Sequence, residues 1–293
     1  MPKNGDFSGQ MRLCKKSNKE SVMMYCFYIN LPTISMREQP SHQSKIVSEA
    51  LFAEHVQIHQ TQDGWSQITT SDGYPGWIPS DTLVMRQDPY MPTLTVTRLA
   101  AHLYSTPSIE YGPWKTLPYG SRLMELERDQ VRWIQVALPD GQVAFIQQGD
   151  VALEPPIEHK QDLVLFSERF LGIPYTWGGR SSFGYDCSGF VQMLYSKLGV
   201  QLERDAKQQA RDVHMLTIAQ EQLEPGDLLF FAKSPEHLMG HVGLYLGNGR
   251  FIHGSSRESM PWIRYSDLTD REWSGEAGAF YTHRVYKQYT FFQ

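Results

Sequence analysis

Two stretches of this 293-residue chain repeat one another. GWSQITTSDGYPGWIPSDTL aligns with RWIQVALPDGQVAFIQQGDV, so that Trp65 and Trp133, Asp72 and Asp140, Gly73 and Gly141, and Ile78 and Ile146 recur at a constant spacing of 68 residues. Each copy consists of strand-length apolar pieces (KIVSEALF, HVQIHQ and GYPGWIP in the first) separated by Gly, Asp and Pro turns. Such a texture belongs to small antiparallel β units rather than helices, and self-similarity at a fixed period means one unit used twice. The repeat therefore predicts two small closed β-barrels, over 31–88 and 93–153. A short Pro-containing joint around Asp88-Pro89-Tyr90-Met91-Pro92 limits the play between them. Residues 1–30 read as a tail leading into the first strand. Its apolar run from Val22 to Ile29 is far too short for a membrane span.

After the Pro-rich segment Ala152 to Ile157 the texture changes. HKQDLVLFSERFLG reads as a short helix ending at Gly172. A glycine- and aromatic-rich approach, PYTWGGRSSFGYD, then leads into a helical pattern starting at Cys187 and running through Phe190, Val191, Leu194 and Leu198 to Gly199. A cysteine at a helix start is favoured as thiolate by the unpaired amides and the macrodipole. DLLFFA, HVGLYLG and RFIHGS follow as strands, the last two joined by the hairpin turn Asn248-Gly249, and AFYTHRVY supplies one more. Helix first and sheet second predicts an α+β third domain over 159–290.

A thiol nucleophile needs a general base within reach and a third group to orient that base. His241 opens one hairpin strand and His253 lies on the next. Folding the hairpin at Asn248-Gly249 pairs residues whose numbers sum to 497, which sets the two rings on opposite faces. A bulge, or a turn one residue longer, sets them on the same face. The pattern alone leaves both open. His214, His237 and His283 read as surface residues. Three widely spaced cysteines do not make a disulfide framework, although a Cys14–Cys26 bridge stays open. Formal net charge is −5 with no basic block, which excludes nucleic acid as a first expectation.

YTWGG, YDCSGF, the RDA stretch with two following glutamines, PGDLLFF, HVGLYLG and FIHG recur in order over about residues 160 to 286. Together they resemble the NlpC/p60 family of papain-like cysteine peptidases. The repeated β units resemble bacterial SH3 domains, which on their own serve equally well as stabilising appendages. The combination is similar to the YkfC-like members, γ-D-glutamyl-L-diamino acid endopeptidases (dipeptidyl-peptidase VI type). The resemblance implies Cys187 as nucleophile, His241 as base, His253 as orienting residue and Tyr175 as oxyanion donor beside the Cys187 amide. It implies as substrates small murein peptides with a free N-terminal L-alanine, cut to release L-Ala-D-Glu in wall-peptide recycling. Asp186, Tyr74 and a first-module carboxylate (Glu49, with Glu54 and Glu38 behind it) would meet the ammonium group. Ser188 and Asp205 would meet other polar atoms, and Trp177 would wall the cleft. Ala206 departs from the serine that family members often carry after Arg-Asp. No cofactor or metal, no nucleic acid, no membrane, a monomer and a cytoplasmic setting are the accompanying expectations. The alternatives are an exported hydrolase of intact wall with wall-binding modules, and a non-enzymatic wall-binding protein.

Overall fold

A computed structural model describes residues 25–153, 156–212, 215–232, 240–256, 259–270 and 280–286. The first sheet contains β1 (Cys26–Ile29), β2 (Thr33–Arg37), β3 (Ile46–Leu51), β4 (His55–Gln62), β5 (Trp65–Thr69), β6 (Pro75–Pro79) and β7 (Leu83–Arg86), in spatial order β3-β2-β6-β5-β4-β1-β7. The second contains β8 (Leu94–Val96), β9 (Ala100–Tyr104), β10 (Lys115–Pro118), β11 (Arg122–Arg128), β12 (Trp133–Ala137), β13 (Val143–Gln147) and β14 (Val151–Ala152), in order β10-β9-β13-β12-β11-β8-β14. The second order is the first advanced by seven strands, so the sequence repeat is a repeat of topology. Trp65 and Trp133 open equivalent strands, and Gly73 and Gly141 hold the equivalent turns at φ 81° and 82°. The first sheet begins at Cys26, inside the segment read as a tail, and Cys14 lies outside the described residues.

Neither sheet closes. The outermost strands, β3 and β7 in one and β10 and β14 in the other, do not pair with each other, which corrects the expectation of barrels. Closure is one way of removing a sheet edge and covering the edge is another. The β3 edge is covered by the third domain. The Trp177 indole N–H donates to the Ile46 carbonyl at 3.0 Å, and Arg180 Nη1 donates to the Glu49 carbonyl at 2.8 Å. These are contacts between distant stretches of chain, which strand patterning cannot reveal.

The third domain opens with α1 (Asp162–Glu168) and the small hairpin β15 (Arg180–Ser181) and β16 (Gly184–Tyr185). Next come α2 (Cys187–Ser196), the four-residue α3 (Ala206–Gln209) and the strands β17 (Met215–Ile218), β18 (Leu228–Ala232), β19 (His241–Gly247), β20 (Arg250–Gly254), β21 (Ile263–Asp267) and β22 (Phe280–Tyr286). Among the described residues the sheet order is β17-β22-β18-β19-β20-β21. Phe190, Val191 and Leu194 of α2 are fully buried with Phe230, Val242, Leu244 and Ile252 of the sheet, so the apolar stripe that made α2 legible is the stripe that packs.

Candidate active site

Asp186 caps α2, its carboxylate accepting from the Gly189 amide at 2.7 Å, and Cys187 is therefore the first residue inside the helix. Backbone packs directly on backbone here. A Cβ on Gly189 would lie 2.2 Å from the Gly179 carbonyl oxygen, so the CSG and TWGG glycines permit the approach loop to close over the helix start. The Cys187 sulfur is buried next to the Val242 amide, which is adjacent to His241. Burial, then the neighbouring Asp186, push the thiol up to about 12, against the lowering effect of the Val242 amide, Arg204 and the Ser188 amide. Burial and the Arg264 guanidinium push His241 down to about 4. Desolvation thus acts against the helix terminus, whose unpaired amides on their own favour the thiolate. Alkylation of Cys187 by iodoacetamide, followed peptide by peptide to separate it from the buried Cys26, is expected to keep accelerating from about pH 6 to about pH 10. A plateau below pH 7 would mean a preformed thiolate.

The hairpin contains the irregularity that the two histidines need. Leu244 pairs with Ile252 and Tyr245 with Phe251, but Gly247 pairs with Arg250, leaving Leu246 as an extra residue. The bulge moves the register by one and sets Gly243, two residues from His241, opposite His253. A Cβ on Gly243 would sit 2.8 Å from the Phe251 ring and 3.2 Å from the His253 Cβ, so the second glycine-dependent contact makes room for that ring. His241 Nε2 lies 2.7 Å from His253 Nδ1, with the rings edge to face at 86°. Asn248 and Gly249, at φ 53° and 78°, form the turn. Tyr175 is anchored by its amide on the Pro261 carbonyl, and burial, with Cys187 and Asp186 as neighbours, raises its pKa and keeps its hydroxyl a donor. His214 and His237 lie outside the described residues.

Several carboxylates are already occupied. Asp186 Oδ1 accepts from Gly189 N, Ser188 Oγ and Arg204 Nη1, and Oδ2 accepts from Gly178 N and Arg204 Nη2 at 2.7 Å. Five protein donors thus reach this carboxylate at rest. Ser188 belongs to the same cluster, accepting from Arg204 Nη1 at 3.0 Å. Glu49 is likewise engaged at rest. Its carboxylate takes the Arg180 amide at 2.9 Å, with Ser181 and Thr33 as further partners, and burial raises its pKa. Glu54 accepts from the Ser71 amide and hydroxyl and pairs with Arg180, while Glu38 is exposed. In contrast, the Tyr74 hydroxyl crosses from the first module to Asp205, 3.3 Å from both of its oxygens, and Asp205 stays partly exposed. Trp177 is exposed, its indole pinned to β3.

Arg204 and Arg180 received no role from the sequence. Arg204 is fully buried, bidentate on Asp186, and donates from Nε to Ser48 Oγ of β3 at 3.0 Å. Arg180 joins Glu54 and Asp72 to the third domain. The available signal was an arginine inside each of two motif stretches, Arg180 after the TWGG glycines and Arg204 before Asp205.

A buried thiol at a helix start, with paired imidazoles on the adjoining antiparallel sheet, defines a papain-like cysteine peptidase. The chain belongs to the NlpC/P60 family, whose pattern matches residues 172–279, while residues 36–83 match the bacterial dipeptidyl-peptidase Sh3 domain. A γ-D-glutamyl-L-lysine dipeptidyl-peptidase of Bacillus cereus is 31% identical over 73% of this chain and 69% of its own length. The enzyme of the same name from Bacillus subtilis is 31% identical over 71% and 72%. The crystal structure of an NlpC/P60 family protein from Bacillus cereus superposes with a TM-score of 0.77 at 25% identity, covering 89% of this chain and 99% of the other.

Proposed function

We propose that this cysteine peptidase hydrolyses the γ-D-glutamyl-L-diamino acid bond of murein peptides with a free N-terminal L-alanine, releasing L-Ala-D-Glu for wall-peptide recycling. The observation that carries this reading is Tyr74. A first-module hydroxyl rests on a third-domain carboxylate, Asp205, close enough to the reaction centre that Asp186 and Arg204 both influence its titration. An ammonium inserted there meets one carboxylate and one phenolic oxygen, so the first module acts as an end stop that sets cleavage two residues in. The names of the two Bacillus relatives support the same bond.

In the proposed mechanism, His241 Nδ1 takes the Cys187 thiol proton as the sulfur attacks the γ-carbonyl carbon. The Tyr175 hydroxyl and the Cys187 amide hold the developing oxyanion. His241 returns the proton to the departing diamino-acid nitrogen, leaving a thioester on Cys187. Water, deprotonated by His241, then cleaves the thioester, and L-Ala-D-Glu leaves with the thiol restored. Mass-spectrometric product analysis with free and N-acetylated L-Ala-γ-D-Glu-diaminopimelate tests the reading. Acetylation is expected to lower kcat/KM about 100-fold, the scale of losing a hydrogen-bonded charged group from a closed site. Tyr74→Phe is expected to raise KM for the free peptide only. Equal turnover of both peptides would remove the end-stop role.

A further inference from the structure

The polar chain that begins at the thiol does not end at His253. His253 is fully buried, and its Nε2 lies 3.0 Å from Ser266 Oγ on β21. In the β20–β21 ladder His253 pairs with Arg264, so Ser266, two residues on, shares its face of the sheet. His241, His253 and Ser266 therefore form a diagonal row across β19, β20 and β21. Ser266 is itself buried, with little solvent to replace it.

The direction of the protons along this row is constrained. His241 Nε2 is committed to His253, leaving Nδ1 as the nitrogen for the thiol. To accept the thiol proton, Nδ1 must be bare, so the neutral ring carries its hydrogen on Nε2 and donates it to His253 Nδ1. His253 Nδ1 is then an acceptor, its own hydrogen is on Nε2, and that hydrogen needs an acceptor in turn. The opposite polarity protonates His241 on Nδ1 and leaves it unable to act as a base. We propose that Ser266 is a positioning residue of this peptidase: by accepting from His253 Nε2–H it holds both histidines in the one tautomer pair that lets His241 take the Cys187 proton. Nothing covalent changes at Ser266. It acts at two removes from the reacting atoms, by deciding where two hydrogens sit. This inference rests on His241 as the base, as proposed above.

Ser266→Ala deletes the hydroxyl that accepts from His253 Nε2–H, which favours the wrong tautomer. The expected result is a kcat loss of roughly ten- to a hundredfold with KM within about twofold, short of the roughly 10⁴-fold that the wrong histidine tautomer costs in a serine protease. Ser266→Thr, which keeps the hydroxyl, is expected to restore most of the rate. Nitrogen-15 NMR of labelled histidine is the readout a merely structural role would not move. Wild type is expected to show His253 protonated on Nε2, and Ser266→Ala a shift toward Nδ1, at a melting temperature lowered by only a few degrees. An Ala variant with wild-type kcat, or with the His253 tautomer unchanged, would overturn the proposal. Should Thr not fit, Ser266→Cys, a poorer acceptor of the same shape, is expected to fall between Ser and Ala. Failure of the base reading is separately visible, because His241→Ala would then retain activity.

Discussion

Cys187→Ala is expected to lower kcat/KM on L-Ala-γ-D-Glu-diaminopimelate by about 10⁶-fold, the scale on which hydrolases lose rate when the nucleophile is removed. His241→Ala should cost nearly as much, and the double variant little more than either alone. A nucleophile and its base work as one unit and their losses do not add. Burial of the sulfur makes the dependence on His241 stricter. Desolvation pushes the Cys187 thiol up to about 12, so attack by the sulfur needs an acceptor for its proton. An enzyme relying on a preformed thiolate would retain attack without the imidazole. Stability should hardly change, since removing one buried sulfur from α2 costs about 1–2 kcal/mol, so a thermal melt separates lost chemistry from lost fold. Residual turnover within tenfold of wild type in either variant would mean that another group carries the reaction.

The parts of this protein legible in its sequence are those that depend on local pattern. The 68-residue repeat appears as two sheets of identical strand order. The apolar stripe after Cys187 packs as α2. A two-residue turn at Asn248-Gly249 requires an extra residue for any pairing of His241 with His253, and that residue is Leu246, a leucine like any other strand leucine until the register is known. Closure of the sheets was not legible, because whether β3 meets β7 or the third domain depends on Trp177 and Arg180, more than a hundred residues away. Carboxylate partners were not legible for a related reason. Asp186 stands beside Cys187 in the chain, yet the donors its carboxylate holds come from Gly178, Gly189, Ser188 and Arg204. Arg204, the largest of these, is a buried cation that sequence statistics place on surfaces.

Arg204→Met is expected to destabilise the protein by about 3–5 kcal/mol, the cost of leaving one member of a buried ion pair uncompensated. Arg204 has only 1% of its side chain exposed, and Asp186 keeps its bidentate partner at 2.7 Å in surroundings where water cannot substitute for it. The Arg128–Glu125 pair of β11, at 2.9 Å, is almost as short, but its side chains are 43% and 29% exposed. Arg128→Met should change stability by less than about 1 kcal/mol. Chemical denaturation of the two variants side by side therefore tests whether burial or distance decides the outcome. The loss at Arg204 should also reach the reaction, because the same carboxylate caps the helix that begins with Cys187 and the same guanidinium holds Ser48 of β3. Adding Asp186→Asn to Arg204→Met removes the stranded charge while keeping an oxygen for the Gly189 amide. The double variant should thus recover part of the stability, a coupling of about 2 kcal/mol or more in the double-mutant cycle. If Arg204→Met unfolds within 1 kcal/mol of wild type, the pair is not what fixes the nucleophile's helix against the first module.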